Sequence, residues 1–238
     1  MKRAMFLVAA AVAFCVPSVF GQTTTMYFNG GYQGSKWTYG SQTVGTGFYD
    51  GSINGVQVGP GQPGGPGMIC DDFNDKVSKG ETWTASALNS SSLNSSNLSQ
   101  TPFGTTIGLK GYTELAYLVN QMFTTNPNAA TQAAYSEAIW ALTGGVLPSK
   151  LTGQALTLYN AAISMYTAGK ISLTQFANLW IYTPKSWGSG YGRPQEMWGM
   201  VSVPEGGPAL AYLLLAGLAC FGAMVLRTRG RVGASGLS

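Results

Sequence analysis

The first part of the chain carries its apolar residues in short alternating runs that glycines interrupt. Between residues 22 and 85, segments such as "TTTMYFNG" and "TGFYDGSINGVQVG" are rich in β-branched and aromatic residues, as strands are. Asp50-Gly51 and Asn54-Gly55 are dipeptides that favour tight turns between strands. The glycine- and proline-rich stretch 59–67 predicts a loop. We therefore expect a β-rich N-terminal half.

From Gly111 onward the apolar spacing becomes helical. Residues 112–123 place apolar side chains three and four positions apart, at Leu115, Leu118, Val119 and Met122. A second helix is predicted to begin with Asn126 as its cap and Pro127 at its first position, and to stop at Gly144-Gly145. A further helical pattern covers 153–170, and 172–184 is either a fourth short helix or a helix that runs into a strand.

The order of strands, helices and a last strand predicts an α+β fold. In it the N-terminal β-rich half packs with a cluster of three to four helices, and a single transmembrane helix follows at the C-terminus. The core should contain Leu115, Leu118, Val119, Ile139 and Trp140. The polar segment 86–104 should be an exposed loop or short helix. Trp187 and Trp198 lie among glycines and are the aromatic residues that we expect at the surface.

The two ends of the chain differ from the body. Residues 1–21 combine Lys2 and Arg3 with an apolar run and small residues, which predicts a cleaved signal peptide. Residues 22–200 form the predicted exported domain, and 201–208 a linker with a short motif. Residues 209–226 predict a transmembrane helix, and 227–238 a basic cytoplasmic tail.

Charge is concentrated at these ends. Five of the 13 basic residues and one of the 9 acidic residues lie outside 22–204, which leaves eight of each sign in the body. The body is therefore neutral, and the net charge of +4 gives no reason to expect nucleic acid as a partner.

The motif "VPEGG" before the apolar run resembles the PEP-CTERM sorting signal of Gram-negative bacteria. Three positions match the family pattern, and Gly206 stands where the family has a second proline. The motif residues are Val203, Pro204, Glu205, Gly206 and Gly207, and the residues that stop the chain in the membrane are Arg227, Arg229 and Arg231. The resemblance implies that an exosortase-type enzyme removes the tail.

This resemblance gives the functional expectation. The protein should cross the inner membrane, reside there transiently, and reach the cell surface or exopolysaccharide matrix after processing. Its role should be non-enzymatic: structural, adhesive or glycan-contacting. The expected partners are the exosortase-type enzyme, the inner membrane and, as a candidate, a polysaccharide.

One alternative is a covalent adhesin. The order of "CDDF" and "SEAIWAL" resembles bacterial thioester domains, in which a cysteine bonds to a helix glutamine four positions before a tryptophan. Cys70 matches the cysteine, but Ser136 occupies the glutamine position. Gln132 lies one turn further back and would replace it only if the geometry shifted.

A secreted hydrolase is the third hypothesis. The sequence contains no histidine, which excludes Ser–His and Cys–His catalysis and removes the commonest metal ligand. The acidic cluster of Asp71, Asp72 and Asp75 lacks the spacing of an EF-hand, so turn capping explains it better than calcium binding. We expect no catalytic residue, no metal and no cofactor.

Overall fold

A computed structural model describes residues 22–190 and 192–201, with the exception of the Trp187 side chain. The chain divides between Ser202 and Val203, and only the first unit contains described residues. The predicted signal peptide, the linker from residue 202, the span 209–226 and the basic tail lie outside the described residues.

The body contains nine strands and three α-helices within the described ranges. The strands are β1 (Gln22–Tyr32), β2 (Lys36–Tyr39), β3 (Gln42–Gly45), β4 (Phe48–Ile53), β5 (Val56–Val58), β6 (Met68–Cys70), β7 (Thr82–Asn89), β8 (Trp180–Trp187) and β9 (Met197–Gly199). The helices are α1 (Gly104–Thr125), α2 (Ala129–Leu142) and α3 (Gly153–Thr167). Short 3-10 turns lie at Ser90–Ser92, Leu98–Gln100, Pro148–Lys150 and Leu173–Phe176.

The main sheet closes on itself. Its strand order is β1-β7-β8-β9-β6-β4-β5, and β1 also pairs with β4, so that six antiparallel strands form a barrel. The first half of β4 pairs with β6 and the second half with β5. The β2–β3 hairpin forms a separate two-stranded sheet.

The predicted fold class is therefore wrong in its architecture. Strands β8 and β9 follow the helices in sequence, yet they pair between β7 and β6 and complete the barrel. Local periodicity gives no information on which distant strands pair, because pairing depends on tertiary contacts. Strand β7 also takes up Ser86–Asn89, the start of the segment predicted as a loop.

No helix among the described residues is long and apolar enough to cross a membrane. The predicted C-terminal span is not among those residues.

Two glycine-containing turn predictions had opposite outcomes. Asn54-Gly55 is confirmed, because both residues have positive φ, at 51° and 80°, and join β4 to β5. Asp50-Gly51 instead lies inside β4. A Cβ at Gly51 would come within 1.9 Å of the Tyr27 carbonyl oxygen, so the glycine permits the close approach of β1 rather than a turn.

Helix α1 covers the β4–β6–β9 face of the barrel. The Phe123 ring lies 5.1 Å from that of Phe48, and the Tyr112 ring lies 6.1 Å from that of Trp198. Ile69 pairs with Phe48 on one side and with Trp198 on the other, and is fully buried beneath the helix contacts. This packing seals one face of the barrel.

The predicted core is confirmed. Leu115, Leu118, Val119 and Ile139 have no exposed surface, and Trp140 has 1%. The predicted helix cap is wrong: Asn126 has a left-handed φ of 40° and is the C-cap of α1, whereas Asn128 is the N-cap of α2. The Asn128 carboxamide oxygen accepts a hydrogen bond from the Thr131 N–H at 3.0 Å.

Candidate functional site

The end of β6 and helix α2 meet at the residues that the thioester resemblance pointed to. Phe48 pairs with Ile69 in the antiparallel β4–β6 register, which places Gly47 opposite Cys70. The Ser136 hydroxyl accepts a hydrogen bond from the Gly47 N–H at 2.9 Å. The helix position one turn before Trp140 therefore faces the strand segment beside the cysteine, and a serine occupies it.

Gln132 is held by the backbone at both ends of its amide. Its Oε1 accepts from the Phe48 N–H at 3.2 Å, and its Nε2 donates to the Pro127 carbonyl at 2.9 Å. A Cβ at Gly47 would lie 2.4 Å from Gln132 Oε1, so the glycine allows the helix to approach this closely. Gln132 thus ties α2 to the start of β4.

Cys70 is a free thiol with 1% of its surface exposed. Its Sγ donates to the Asp72 carbonyl oxygen at 3.1 Å. Burial raises the pKa of this thiol well above its usual range. The Trp140 indole lies beside the sulfur and lowers the thiol pKa by a smaller amount, although its N–H lacks an acceptor in hydrogen-bond geometry. Such an environment keeps the cysteine protonated and unreactive.

Asp72 and Asp75 have structural partners. The Asp72 carboxylate accepts from the N–H groups of Asn74 and Asp75 at 3.0 and 3.1 Å, so of the three acids predicted to cap turns this one does so. Asp75 lies 3.5 Å from the Arg193 guanidinium. The described part of the chain contains no group of three or more histidine, cysteine or acidic side chains placed to hold a metal ion.

Asp71 belongs to a buried polar cluster that the sequence analysis missed. Its Oδ2 accepts from the Trp198 indole N–H at 2.7 Å, and its side chain lies next to Glu196, which is also fully buried. Glu196 accepts from the Tyr112 hydroxyl at 2.8 Å and from the Thr183 hydroxyl. The pair joins β6, β8, β9 and α1 at one point.

Burial dominates the titration of both carboxyl groups. Burial raises the pKa of both groups, to about 7 for Glu196 and well above the usual range for Asp71. Three donors favour the Glu196 carboxylate, namely Thr183, Tyr112 and protonated Asp71. Asp71 Oδ1 is buried without a hydrogen-bond partner among the described residues, which disfavours a negative charge on this carboxyl group. Asp71 is accordingly the acid that stays neutral.

The positions of Asp71 and Glu196 in the sequence do not predict that they form a pair. Asp71 and Glu196 are 125 positions apart in the numbering and meet only because β6 pairs with β9. Trp198 was predicted to be an exposed contact, and this is wrong: it has no exposed surface and its indole N–H is used by Asp71. The only sequence signal for the pair was the short run Met197–Gly199, which directly follows the acidic residue Glu196.

The sorting-signal residues are not among the described residues. These are Val203, Pro204, Glu205, Gly206, Gly207, Arg227, Arg229 and Arg231. No protein-family model matches the chain, and no curated protein is similar enough to it to count as a relative.

Proposed function

We propose that this protein is exported to a bacterial cell surface or exopolysaccharide matrix and acts there without catalysis, as a structural, adhesive or glycan-contacting component. In this proposal an exosortase-type enzyme processes the chain at Val203–Gly207 after the chain has crossed the inner membrane. The body is then released from its C-terminal tail.

The observation that carries the proposal is the position of the folded body between the two predicted processing sites. Strand β1 begins at Gln22, the first residue after the predicted signal peptide. Strand β9 ends at Gly199, and the Tyr182 hydroxyl donates to the Val201 carbonyl. The chain divides after Ser202, and the motif begins at Val203. Cleavage at either site would leave every strand of the barrel intact.

The chemistry of the body also supports a non-catalytic role. Its most perturbed carboxyl pair, Asp71 and Glu196, has no exposed surface and supports four elements of the fold. Cys70 is a buried thiol that donates to a backbone carbonyl. These groups stabilise the body and are closed to a substrate.

Two tags on one chain test the processing step. One tag is placed before Gln22, downstream of the signal peptide, and the other after Ser238, in a Gram-negative host that carries an exosortase. We expect the first tag at the surface or in the matrix without the second tag. Glu205→Ala should keep the two tags together in the membrane fraction, because it removes the charged residue of the motif.

Ser202→Ala is the matched control, since it changes a small residue directly before the motif. It should leave processing unchanged. If wild-type chains keep both tags in a host with an active exosortase, the processing proposal is wrong.

A further inference from the structure

A cleft of about 280 Å³ lies beside the β2–β3 hairpin. It is lined by the end of β1, the β2–β3 hairpin, the start of β4, the loop after β6 and Gln195. The volume is near the lower end of the ~300–1,000 Å³ that small-molecule sites occupy. It suits a small ligand or one segment of a longer polymer.

Aromatic rings form the floor and one wall of this cleft. Phe28 and Tyr49 pack with their ring centroids 5.5 Å apart, and the Tyr49 hydroxyl donates to the Gly45 carbonyl at 2.7 Å. Tyr32 covers Gly45, where a Cβ would lie 2.6 Å from the tyrosine ring. Tyr32 is only half-buried, so its ring is the aromatic surface that a ligand can contact. The glycine keeps this ring in place.

Two lysines supply the charge at the rim. Lys76 and Lys79 line the cleft and are exposed. The Lys79 methylenes lie against Gly30, at 2.6 Å from the position of a Cβ there, which fixes the stem and leaves the ammonium free to reach solvent. Neither lysine forms an ion pair with any residue that the structure describes, and no described Asp or Glu lines the cleft. The rim is therefore positive.

The loop that carries both lysines is held at its two ends. At the first end Asp72 caps the backbone of Asn74 and Asp75, and Gln195 donates to the Asp72 carbonyl at 2.7 Å. At the second end the Gly80 N–H donates to the Phe28 carbonyl at 2.8 Å. The buried Glu81 carboxylate accepts from the Ser78 N–H at 2.7 Å. A loop fixed in this way loses little entropy when a ligand binds.

We propose that this cleft binds a carboxylated sugar residue of an acidic polysaccharide, an inference that rests on the proposed function in the matrix. A sugar ring offers an apolar C–H face, which suits the Tyr32 ring, and polar edges, which suit neutral hydrogen-bonding groups. Its carboxylate would lie between Lys76 and Lys79, the only unpaired cations among the lining residues that are described. A small inorganic anion would use the lysines but not the aromatic wall.

Calorimetric titration of the full-length chain, purified in a non-ionic detergent, tests this inference. The probes are an oligogalacturonate, a neutral hexose oligomer of equal length, and sulfate. We expect the oligogalacturonate to bind, the neutral oligomer to bind at least about tenfold more weakly, and sulfate to compete poorly. Raising the salt from about 0.02 to about 0.2 M should weaken the binding, because the lysines are exposed to solvent.

Matched variants locate the site. Lys76→Gln with Lys79→Gln should weaken oligogalacturonate binding about tenfold or more. Lys150→Gln with Lys170→Gln changes two exposed lysines elsewhere and should have no effect. Tyr32→Leu should weaken both oligomers, because it removes the ring but keeps an apolar side chain. Since the substituted lysines are exposed, the circular dichroism spectra of both lysine variants should match that of the wild type.

Several outcomes would overturn the inference: no binding of the oligogalacturonate, equal affinity for the neutral oligomer, equal competition by sulfate, or full affinity in the Lys76/Lys79 double variant. The titration needs no export, so it is independent of the tag experiment. A chain that is processed but does not bind retains the proposed function and loses this inference. A chain that binds the oligogalacturonate but is not processed retains the binding inference and contradicts the processing proposal.

Discussion

The indole N–H of Trp198 donates a 2.7 Å hydrogen bond to Oδ2 of Asp71, and both residues are completely buried. The bond crosses from β9 to the residue that follows β6, next to the point where Glu196 meets Asp71. A charged carboxylate at this depth is costly unless donors surround it, and the cluster supplies donors mainly to Glu196. The protein therefore folds around one carboxylic acid and one group that titrates near neutrality.

Stability should fall as the pH rises from about 4 to about 8. The Glu196 pKa is about 7 in the folded protein and close to 4.3 in an unfolded chain, so the folded state binds more protons across this interval. The stability that protonated Glu196 contributes is fully present below the pKa of the unfolded chain. It is lost as the pH rises through the pKa of the folded protein. For Glu196 this loss of stability amounts to roughly 4 kcal/mol. Urea unfolding at a series of pH values measures it.

Two substitutions separate Glu196 from the other acids. Glu196→Gln should flatten the pH dependence, because it removes the titrating group. Thr183→Val should move the midpoint of the stability loss to higher pH, because the Thr183 hydroxyl favours the ionised form. Asp71, whose pKa is also raised by burial, and Asp75, whose pKa is raised to about 6 mainly by burial, contribute in the same direction, so part of the pH dependence should remain in both variants. Wild-type stability that increases between pH 5 and 8 would contradict this account.

Trp140→Ala should destabilise the body by about 3–5 kcal/mol, as large-to-small aromatic substitutions in cores do. The ring has 1% exposure and packs against Phe73 and Trp37, with centroids 5.3 and 5.9 Å away. Leu147→Ala is the control, since Leu147 is 58% exposed and should cost less than about 0.5 kcal/mol. Chemical denaturation measures both values, and a loss below about 1 kcal/mol for Trp140→Ala would place its ring outside the core.

The burial of Trp140 was predictable from the sequence, whereas the burial of Trp198 was not. Helix α2 is buried on almost every side, at 132–136 and 138–141, so the large apolar side chains of Ile139 and Trp140 within a helical pattern sufficed to predict their burial. Trp198 lies in the three-residue strand β9, which is too short for a periodic signal and which is buried because it inserts between β8 and β6. The same insertion creates the Asp71–Glu196 pair. Barrel closure and the buried site thus share one cause, a long-range strand pairing that local patterns do not encode.

Asn128→Ala should cost about 1 kcal/mol by removing the cap of α2. The Asn128 side chain satisfies the Thr131 N–H, which has no carbonyl partner in the first turn of the helix. Thr152→Ala provides the matched control, because Thr152 occupies the same position before α3 but makes no side-chain capping bond. Because Thr152 is exposed, Thr152→Ala should lower the free energy of unfolding by no more than a few tenths of a kcal/mol. Equal losses in thermal unfolding would show that the cap geometry of Asn128 contributes nothing.

Cys70 should behave as an ordinary buried thiol and should not form a thioester. The Gln132 amide is occupied by the Phe48 N–H and the Pro127 carbonyl, while Cys70 donates to the Asp72 carbonyl. Methylamine should therefore leave the intact mass unchanged, and a stable methylamide on a glutamine would contradict the prediction. Alkylation of Cys70 should be slow in the native protein and fast in urea, because burial keeps the thiol pKa high and the sulfur inaccessible.

Cys70→Ser gives an independent check on the same residue. A serine hydroxyl at this depth can donate to the Asp72 carbonyl, but its greater polarity in an apolar site should cost about 1–3 kcal/mol. The oligogalacturonate affinity should not change, since Cys70 does not line the cleft that carries Lys76 and Lys79. If Cys70→Ser lost much of the oligogalacturonate affinity at unchanged stability, the thiol would affect the shape of the cleft through the residues between them. Cys70 would then have a role beyond packing.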